Sequence, residues 1–425
     1  MRKPFRKIRR LVRKFMRTYK HGSLFEAFRR TGSWFAWRLV YRRRVAAEKR
    51  HPLPVNPRKL VFESFGNYDD NARVLSDYLI QEGYADKYEI VWIVNDPKKY
   101  QSVIPSCVRV VKKRYANRKA TLEAHREVHS AAYVFYSHSM RWVNYVHNNQ
   151  VYVDLWHGCS FKQAKGGGRI FFDYCLVAGD LFVKTKADFF QCDEKKLLPI
   201  GYPRYDLMKT GNAVAADYVK EIRNKHGADK LILWMPTYRK TKRSRLNENT
   251  LDQSKWDLPI VYDEEHMRDL NDVCGKFGVL LMIKWHMFSD EHVRHASRYG
   301  NIMFVGNEEL EKRDVQLYAL LHEADALITD YSSVGVDFLL LNRQIGYTLD
   351  DYEKYMESRG FTIENPLDYM PGKRIYMFED MKEFIREVSE GIDVYEADRK
   401  KVTAELLAQC ESYCQKTIDT LGIQR

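Results

Sequence analysis

The segments best suited to chemistry in this chain each follow a short β-rich run. After Val151-Tyr152-Val153-Asp154-Leu155 comes Trp156-His157-Gly158-Cys159-Ser160-Phe161-Lys162, which sets an imidazole beside a glycine where a substrate can approach the backbone. Histidine is the usual general base, although a single His is as readily structural or solvent-facing. Leu231-Ile232-Leu233-Trp234-Met235 leads into Pro236-Thr237-Tyr238-Arg239, and Val279 to Ile283 leads into Lys284-Trp285-His286. Cations at strand ends suit phosphate through charge-assisted hydrogen bonds, against the plainer reading of surface ion pairs. The most specific stretch is Ala326-Leu327-Ile328-Thr329-Asp330-Tyr331-Ser332-Ser333-Val334-Gly335-Val336-Asp337-Phe338, read as strand, tight turn and helix. Ser332 or Ser333 can cap that helix, whose free N–H groups favour a phosphate; capping alone explains the serines equally well, and Asp337 can cap or pair locally. A Gly-Lys-Ser/Thr phosphate loop and a G-x-G-x-x-G after a strand are both missing, which counts against a kinase, an NTPase or a dehydrogenase.

Positioning such residues takes strands that end on one edge. From Leu60 onward, β-rich runs at Leu60 to Phe65, Tyr88 to Val94, Val108 to Val111, Ala132 to Tyr136 and Val151 to Trp156 alternate with helical patterns near 70 to 83 and 118 to 130. Further runs at Tyr174 to Ala178 and Lys196 to Ile200 flank a helix near 181 to 191. This alternation predicts a parallel sheet with helices on its faces, and ligands in such a sheet bind beyond the carboxyl ends of the strands. Gly201-Tyr202-Pro203-Arg204 is the best domain boundary, after which a helix at 213 to 225 and strands at Leu231 to Met235, Val279 to Trp285, Ile302 to Val305 and Ala326 to Thr329 restart the pattern. The polar stretch between Arg239 and Asp257 reads as a surface loop and the last 25 or so residues as a helix. Two α/β units in series result: 58–205 and 206–425, the latter with the final helix, preceded by a basic arm over 1–57.

The net charge of +13 sits almost wholly in that arm. Residues 1 to 50 hold 18 Lys and Arg against Glu26 and Glu48, leaving the remaining 375 residues at −3. The body is therefore not a basic nucleic-acid-binding surface. Ile8, Leu11, Val12, Phe15, Met16 and Tyr19 share one helical face with cations opposite, as an interfacial membrane helix requires, and Trp34 to Tyr41 before Arg42-Arg43-Arg44 offers a second anchor. Packing of these residues on the body, or a nucleic-acid arm, are the competing readings. No apolar run reaches the roughly 18 to 20 residues of a membrane span. The seven Cys lack a C-x-x-C spacing and read as reduced thiols.

In order and context, these motifs resemble the CDP-glycerol glycerophosphotransferase family of teichoic acid and capsule polymer primases and polymerases. The resemblance rests on Trp156-His157-Gly158, Gly201-Tyr202-Pro203-Arg204, Pro236-Thr237-Tyr238-Arg239, His286 and Leu327 through Ser333 to Asp337, and also covers Val61 to Gly66 near the start and Asp351-Tyr352 with Arg359-Gly360-Phe361 near the end, over about residues 58 to 390. It implies a GT-B-like α/β architecture, two Rossmann-like domains facing a cleft, with the first on the acceptor side and the second holding the nucleotide. It implies His157 as base for the acceptor hydroxyl and His286 as a second catalytic residue. Gly158, Cys159, Ser160, Phe161, Arg239, Lys284, Trp285, Ser332, Ser333 and Asp337 become substrate-binding positions. The donor implied is CDP-glycerol or another CDP-polyol, with no metal or permanently bound cofactor. The partners implied are an anionic membrane surface at the inner face of a bacterial membrane and a lipid-linked polymer, with no nucleic acid and a possible homo-oligomer. Family members often have Thr-Pro-Leu-Lys after the His-Gly and an Arg-x-His-Pro type of sequence later; here Cys159-Ser160-Phe161-Lys162 and Lys284-Trp285-His286-Met287 stand there, leaving the polyol and acceptor open. A nucleotide-sugar glycosyltransferase of the same fold and a non-enzymatic basic binding protein are the alternatives.

Overall fold

The structure is a computed structural model that describes residues 36–37, 39–64, 67–113, 118–138, 143, 149–163, 170–237, 256, 258–284 and 298–425. The arm's first amphipathic face, the loop from Arg239 to Asp257 apart from Trp256, and Trp285 and His286 lie outside the described residues.

Short apolar runs flanked by helical patterns pair in parallel because each crossover helix returns the chain to the same sheet edge. Seven strands form the first sheet: β1 (Asn56–Glu63), β2 (Glu89–Val94), β3 (Arg109–Lys112), β4 (Ala131–Tyr136), β5 (Val151–Asp154), β6 (Tyr174–Leu176) and β7 (Leu197–Leu198), in the order β3-β2-β1-β4-β5-β6-β7. Six form the second: β8 (Lys230–Met235), β9 (Val279–Lys284), β10 (Ile302–Val305), β11 (Ala326–Thr329), β12 (Gln344–Thr348) and β13 (Lys373–Ile375), in the order β10-β9-β8-β11-β12-β13. Every pairing is parallel. Both sheets therefore reverse direction beside their first strand, the Rossmann arrangement, and each opens a crevice there at its carboxyl edge.

Period-two side-chain alternation divides the second unit between two cores. Leu231 and Leu233 of β8 join a large cluster that also contains Leu60, Phe62, Trp92 and Phe135 of the first sheet. Ile232 and Trp234 face the other way, onto Met267 and Leu270 of the helix Glu264–Lys276 and Phe384 and Ile385 of the helix Phe378–Glu390. One apolar core thus runs through both units.

Polar contacts reinforce that junction. Residues 161–163 pair with 360–362: the Thr362 N–H donates to Phe161 O at 2.7 Å and the Gln163 N–H to Gly360 O at 3.0 Å. Elsewhere along the cleft, Glu311 of the second unit accepts from Asn67, Lys99 and Tyr100, while Arg73 forks onto Asp314.

The chain's end departs from the expectation. Instead of one helix in the second unit, there are two, Glu396–Leu406 and Tyr413–Leu421, and they return to the first. The Ala408 N–H donates to Ala178 O at 2.8 Å and Tyr133 donates to Leu421 O, while the Tyr413 and Cys414 N–H groups donate at 2.8 Å to the carboxylate of Asp206, the first residue of the second unit. Gly201 makes room for this return: its φ is +77°, and a Cβ there would lie 2.5 Å from the Tyr413 ring. The second expected anchor is also partly drawn inward. Tyr41, on a helix over 39–48, is buried with its hydroxyl 3.3 Å from His125 Nδ1, while Leu39 and Val40 stay exposed.

Candidate active site

His157 stands on a tight turn at the carboxyl end of β5. The Leu155 N–H extends the sheet to Tyr136 O at 2.7 Å, and the Trp156 N–H closes onto Asp154 Oδ1 at 2.9 Å. The chain must then reverse: Trp156 takes φ +51° and Gly158 φ +129°, a conformation that only glycine adopts without strain. Asn71, fully buried, donates its amide to both Leu155 O (3.1 Å) and Trp156 O (2.9 Å) and accepts from the Arg204 N–H (3.1 Å). The turn is thus tied to the Gly201-to-Arg204 segment.

The imidazole lies against the Trp156 ring, centroids 4.0 Å apart and planes tilted by 39°, and meets His138 edge-on at 4.7 Å. It is open to the cleft yet closely surrounded by protein, and that desolvation, followed by the charges of His138, Lys186 and Arg204, lowers its pKa to about 3. His157 is therefore neutral at physiological pH and able to accept a proton.

Opposite it, the switch point of the second sheet is closed by a polar chain. Asp330, just past β11, accepts from the Thr237 N–H at 2.8 Å and its hydroxyl at 2.5 Å, and Lys162 donates to that hydroxyl at 2.7 Å. This fixes the Tyr331-Ser332-Ser333 turn, so that Gly158 faces Ser333 closely: a Cβ on Gly158 would lie 2.7 Å from the serine oxygen. Lys284 ends β9 almost buried, donating to Asn307, with no carboxylate partner among the described residues. Burial pushes its pKa down to about 8.

His157, Lys284, Ser332 and Ser333 line one cavity of about 510 Å³ between the two sheets. Its wall also includes Asp69, Asp70, Arg73 and Arg204, which the strand-end reading passed over. Asp69 is notable for a carboxyl pushed up to about 6 by burial, against the hydrogen bond from Ser64. Other expected contacts are turned inward. Cys159 is buried with its sulfur 3.1 Å from the Tyr202 hydroxyl, and Phe161 packs on Phe182 and Tyr369. Asp337 is wholly buried, accepting from Arg204 (2.8 Å), Tyr205 (2.5 Å) and Tyr318 (2.6 Å). A carboxylate satisfied three times by protein is a strut between the units, not a ligand contact. Ser160, half-buried, and Phe161 nevertheless line a smaller recess with Tyr331, Ser332 and Phe361.

Comparison with known proteins places this geometry. A family profile for CDP-glycerol:poly(glycerophosphate) glycerophosphotransferases matches residues 45–412, a span containing every candidate above. The chain belongs to this family. Among its relatives, a teichoic acid poly(glycerol phosphate) polymerase of Staphylococcus epidermidis is 26% identical over 348 residues, 75% of this chain but 44% of that protein. A teichoic acid glycerol-phosphate transferase of Staphylococcus aureus is 24% identical over 373 residues, 80% of this chain and 86% of that one. The solved structure of the wall teichoic acid polymerase TagF superposes with a TM-score of 0.66 at 20% identity, covering 97% of each chain, and establishes the GT-B-like fold. Among the described residues of this glycerophosphotransferase family member, no helix is long and apolar enough to cross a membrane and no cluster of His, Cys, Asp and Glu is arranged for a metal.

Proposed function

We propose that this chain moves glycerol phosphate, or a related polyol phosphate, from a CDP-activated donor to a hydroxyl of a membrane-linked teichoic-acid or capsule-type polymer, releasing CMP. The observation that carries this reading is the meeting of a neutral imidazole, a nearly buried lysine and two serines in one cavity between the units. His157 takes the proton of the acceptor hydroxyl as that oxygen attacks the phosphorus bearing the polyol. The bond from that phosphorus to the CMP oxygen breaks, and CMP leaves with the electron pair. Lys284, Ser332 and Ser333 hold the diphosphate, and the fixed lysine charge acts where negative charge shifts onto the leaving phosphate. Arg239, Trp285 and His286 join the donor side on the strength of the resemblance alone. The arm, at net +16 over residues 1 to 50, supports a peripheral site on an anionic membrane surface.

The test is a donor screen with CDP-glycerol, CDP-ribitol and nucleotide sugars, with the nucleotide product identified in each. CMP from a CDP-polyol supports the reading. A nucleoside diphosphate from a sugar donor, with no CMP from either polyol, replaces it with glycosyl transfer.

A further inference from the structure

The helix Leu181–Phe190 leaves the carboxyl edge of the first sheet and carries one cation toward His157. The Lys186 ammonium lies 5.3 Å from the centroid of the Trp156 ring and 5.6 Å from that of Phe189. Trp156 immediately precedes His157 and lies tilted against it, and the charge of Lys186 is among those felt by the imidazole. Among the described residues Lys186 has no carboxylate partner. Several buried or half-buried cations of the first unit do: Lys59 with Glu127, Arg73 with Asp314, Lys113 with Glu63, and Arg204 with Asp70 and Asp337. A half-buried ammonium resting on two aromatic faces is partly desolvated and held in place, so an arriving anion meets a charge that nothing has neutralised.

We propose that Lys186 binds the terminal phosphodiester of an anionic acceptor, next to the hydroxyl whose proton His157 takes. The inference rests on the transferase reading above. Phosphate oxygens could reach this lysine from two sources, the donor diphosphate or the acceptor chain, and the placement favours the acceptor. Lys284, Ser332 and Ser333 belong to the second unit and line the 510 Å³ cavity; Lys186 belongs to the first and does not line it. His157 lies between the two sets. A polyol phosphate chain carries a phosphodiester within one unit of its terminal hydroxyl, so seating that hydroxyl at His157 brings a second negative charge close to the donor. A cation on the acceptor side offsets that repulsion and discriminates a phosphate-bearing acceptor from a neutral one.

The experiment uses the full chain and its Lys186→Gln and Lys186→Arg variants, with CDP-glycerol as donor and either a short glycerol-phosphate oligomer or a neutral polyol as acceptor. CMP release and acceptor extension are both measured. Loss of one charge-assisted contact is expected to raise KM for the oligomer about tenfold or more in Lys186→Gln, with recovery in Lys186→Arg. KM for CDP-glycerol and kcat/KM for the neutral acceptor should change less than about twofold, since neither is assigned to this charge. A rise in donor KM instead assigns the lysine to the diphosphate and overturns the proposal. An equal loss with both acceptors, or no change with either, also overturns it, because packing against Trp156 would then be the whole role. CMP release is scored for the wild type in every arm, so a failure of the transferase reading is seen separately, as no CMP from any CDP-polyol, and takes the proposal with it.

Discussion

An imidazole held at about pKa 3 stays neutral across the physiological range, so His157 is always free to accept a proton but draws it only weakly. Bound phosphates would reverse part of this, because anions beside the ring offset the nearby cations and favour the imidazolium. The acid limb of kcat/KM, which reports the free enzyme, should therefore lie well below the ordinary histidine value of about 6.5, and the limb of kcat, which reports the substrate-bound enzyme, at a higher pH than that of kcat/KM. Coincident limbs near about 6.5 would point to a different base. His157→Ala should lower kcat by about 10²- to 10⁴-fold while donor affinity, measured by direct titration, changes only a few-fold. Lys284 titrates in the opposite sense: charged below about pH 8 and neutral above it, it should let donor affinity fall as pH rises through 8. Lys284→Gln should remove that dependence and weaken donor binding about tenfold or more. At this scale the placing of His157, Lys284, Ser332 and Ser333 around one cavity was legible because each follows a strand at its carboxyl end. The inward turn of Cys159 and Asp337 was not, because a motif gives residue type, not the direction in which a side chain points. Asn71 and Arg204 act on residues more than 80 positions away, a relation that no local pattern carries.

Among the elements, β1 to β11 could be anticipated from apolar runs within a few residues of their observed ends. Strands β12 and β13 were not anticipated: Gln344-Ile345-Gly346-Tyr347-Thr348 mixes polar residues with a glycine, and Lys373-Arg374-Ile375 has one apolar residue. Both are specified by their neighbours, since Gly346 has no Cβ where Ile375 and Phe384 crowd in. The terminal segment shows the same dependence. Its helical pattern was readable, but its break at 407–412 follows from the Asp206 carboxylate receiving the Tyr413 and Cys414 N–H groups, and its return to the first unit from the bonds of Ala408 to Ala178 and of Tyr133 to Leu421. Truncation after residue 395 should therefore expose the first unit to limited proteolysis before the second. Gly201→Ala, which combines a positive φ with the Tyr413 clash, should destabilise the protein by about 2–4 kcal/mol in denaturant titration.

For the whole molecule, the two units meet through apolar core and through ion pairs of different character. Arg204 and Asp337 are buried, so removing one partner leaves a charge stranded in the interior, whereas Glu311 and Asp314 grip the first unit in partly exposed positions. Glu311→Gln combined with Asp314→Asn should keep the protein folded, with melting temperature lowered by only a few degrees, and loosen the cleft. Small-angle scattering should then show a larger radius of gyration without donor; an unchanged radius would assign closure to the core alone. The shared core also constrains how such proteins diversify. With Leu231 and Leu233 packed in the same cluster as Leu60 and Phe62, and the last helices bonded back to the first unit, the second unit is not a cassette that recombination can exchange cleanly at residue 205. A chimera taking its second unit from a ribitol-using relative would have to keep residues 396–425 with its own first half, so polyol preference should drift by point substitution around the cavity more readily than by swapping halves.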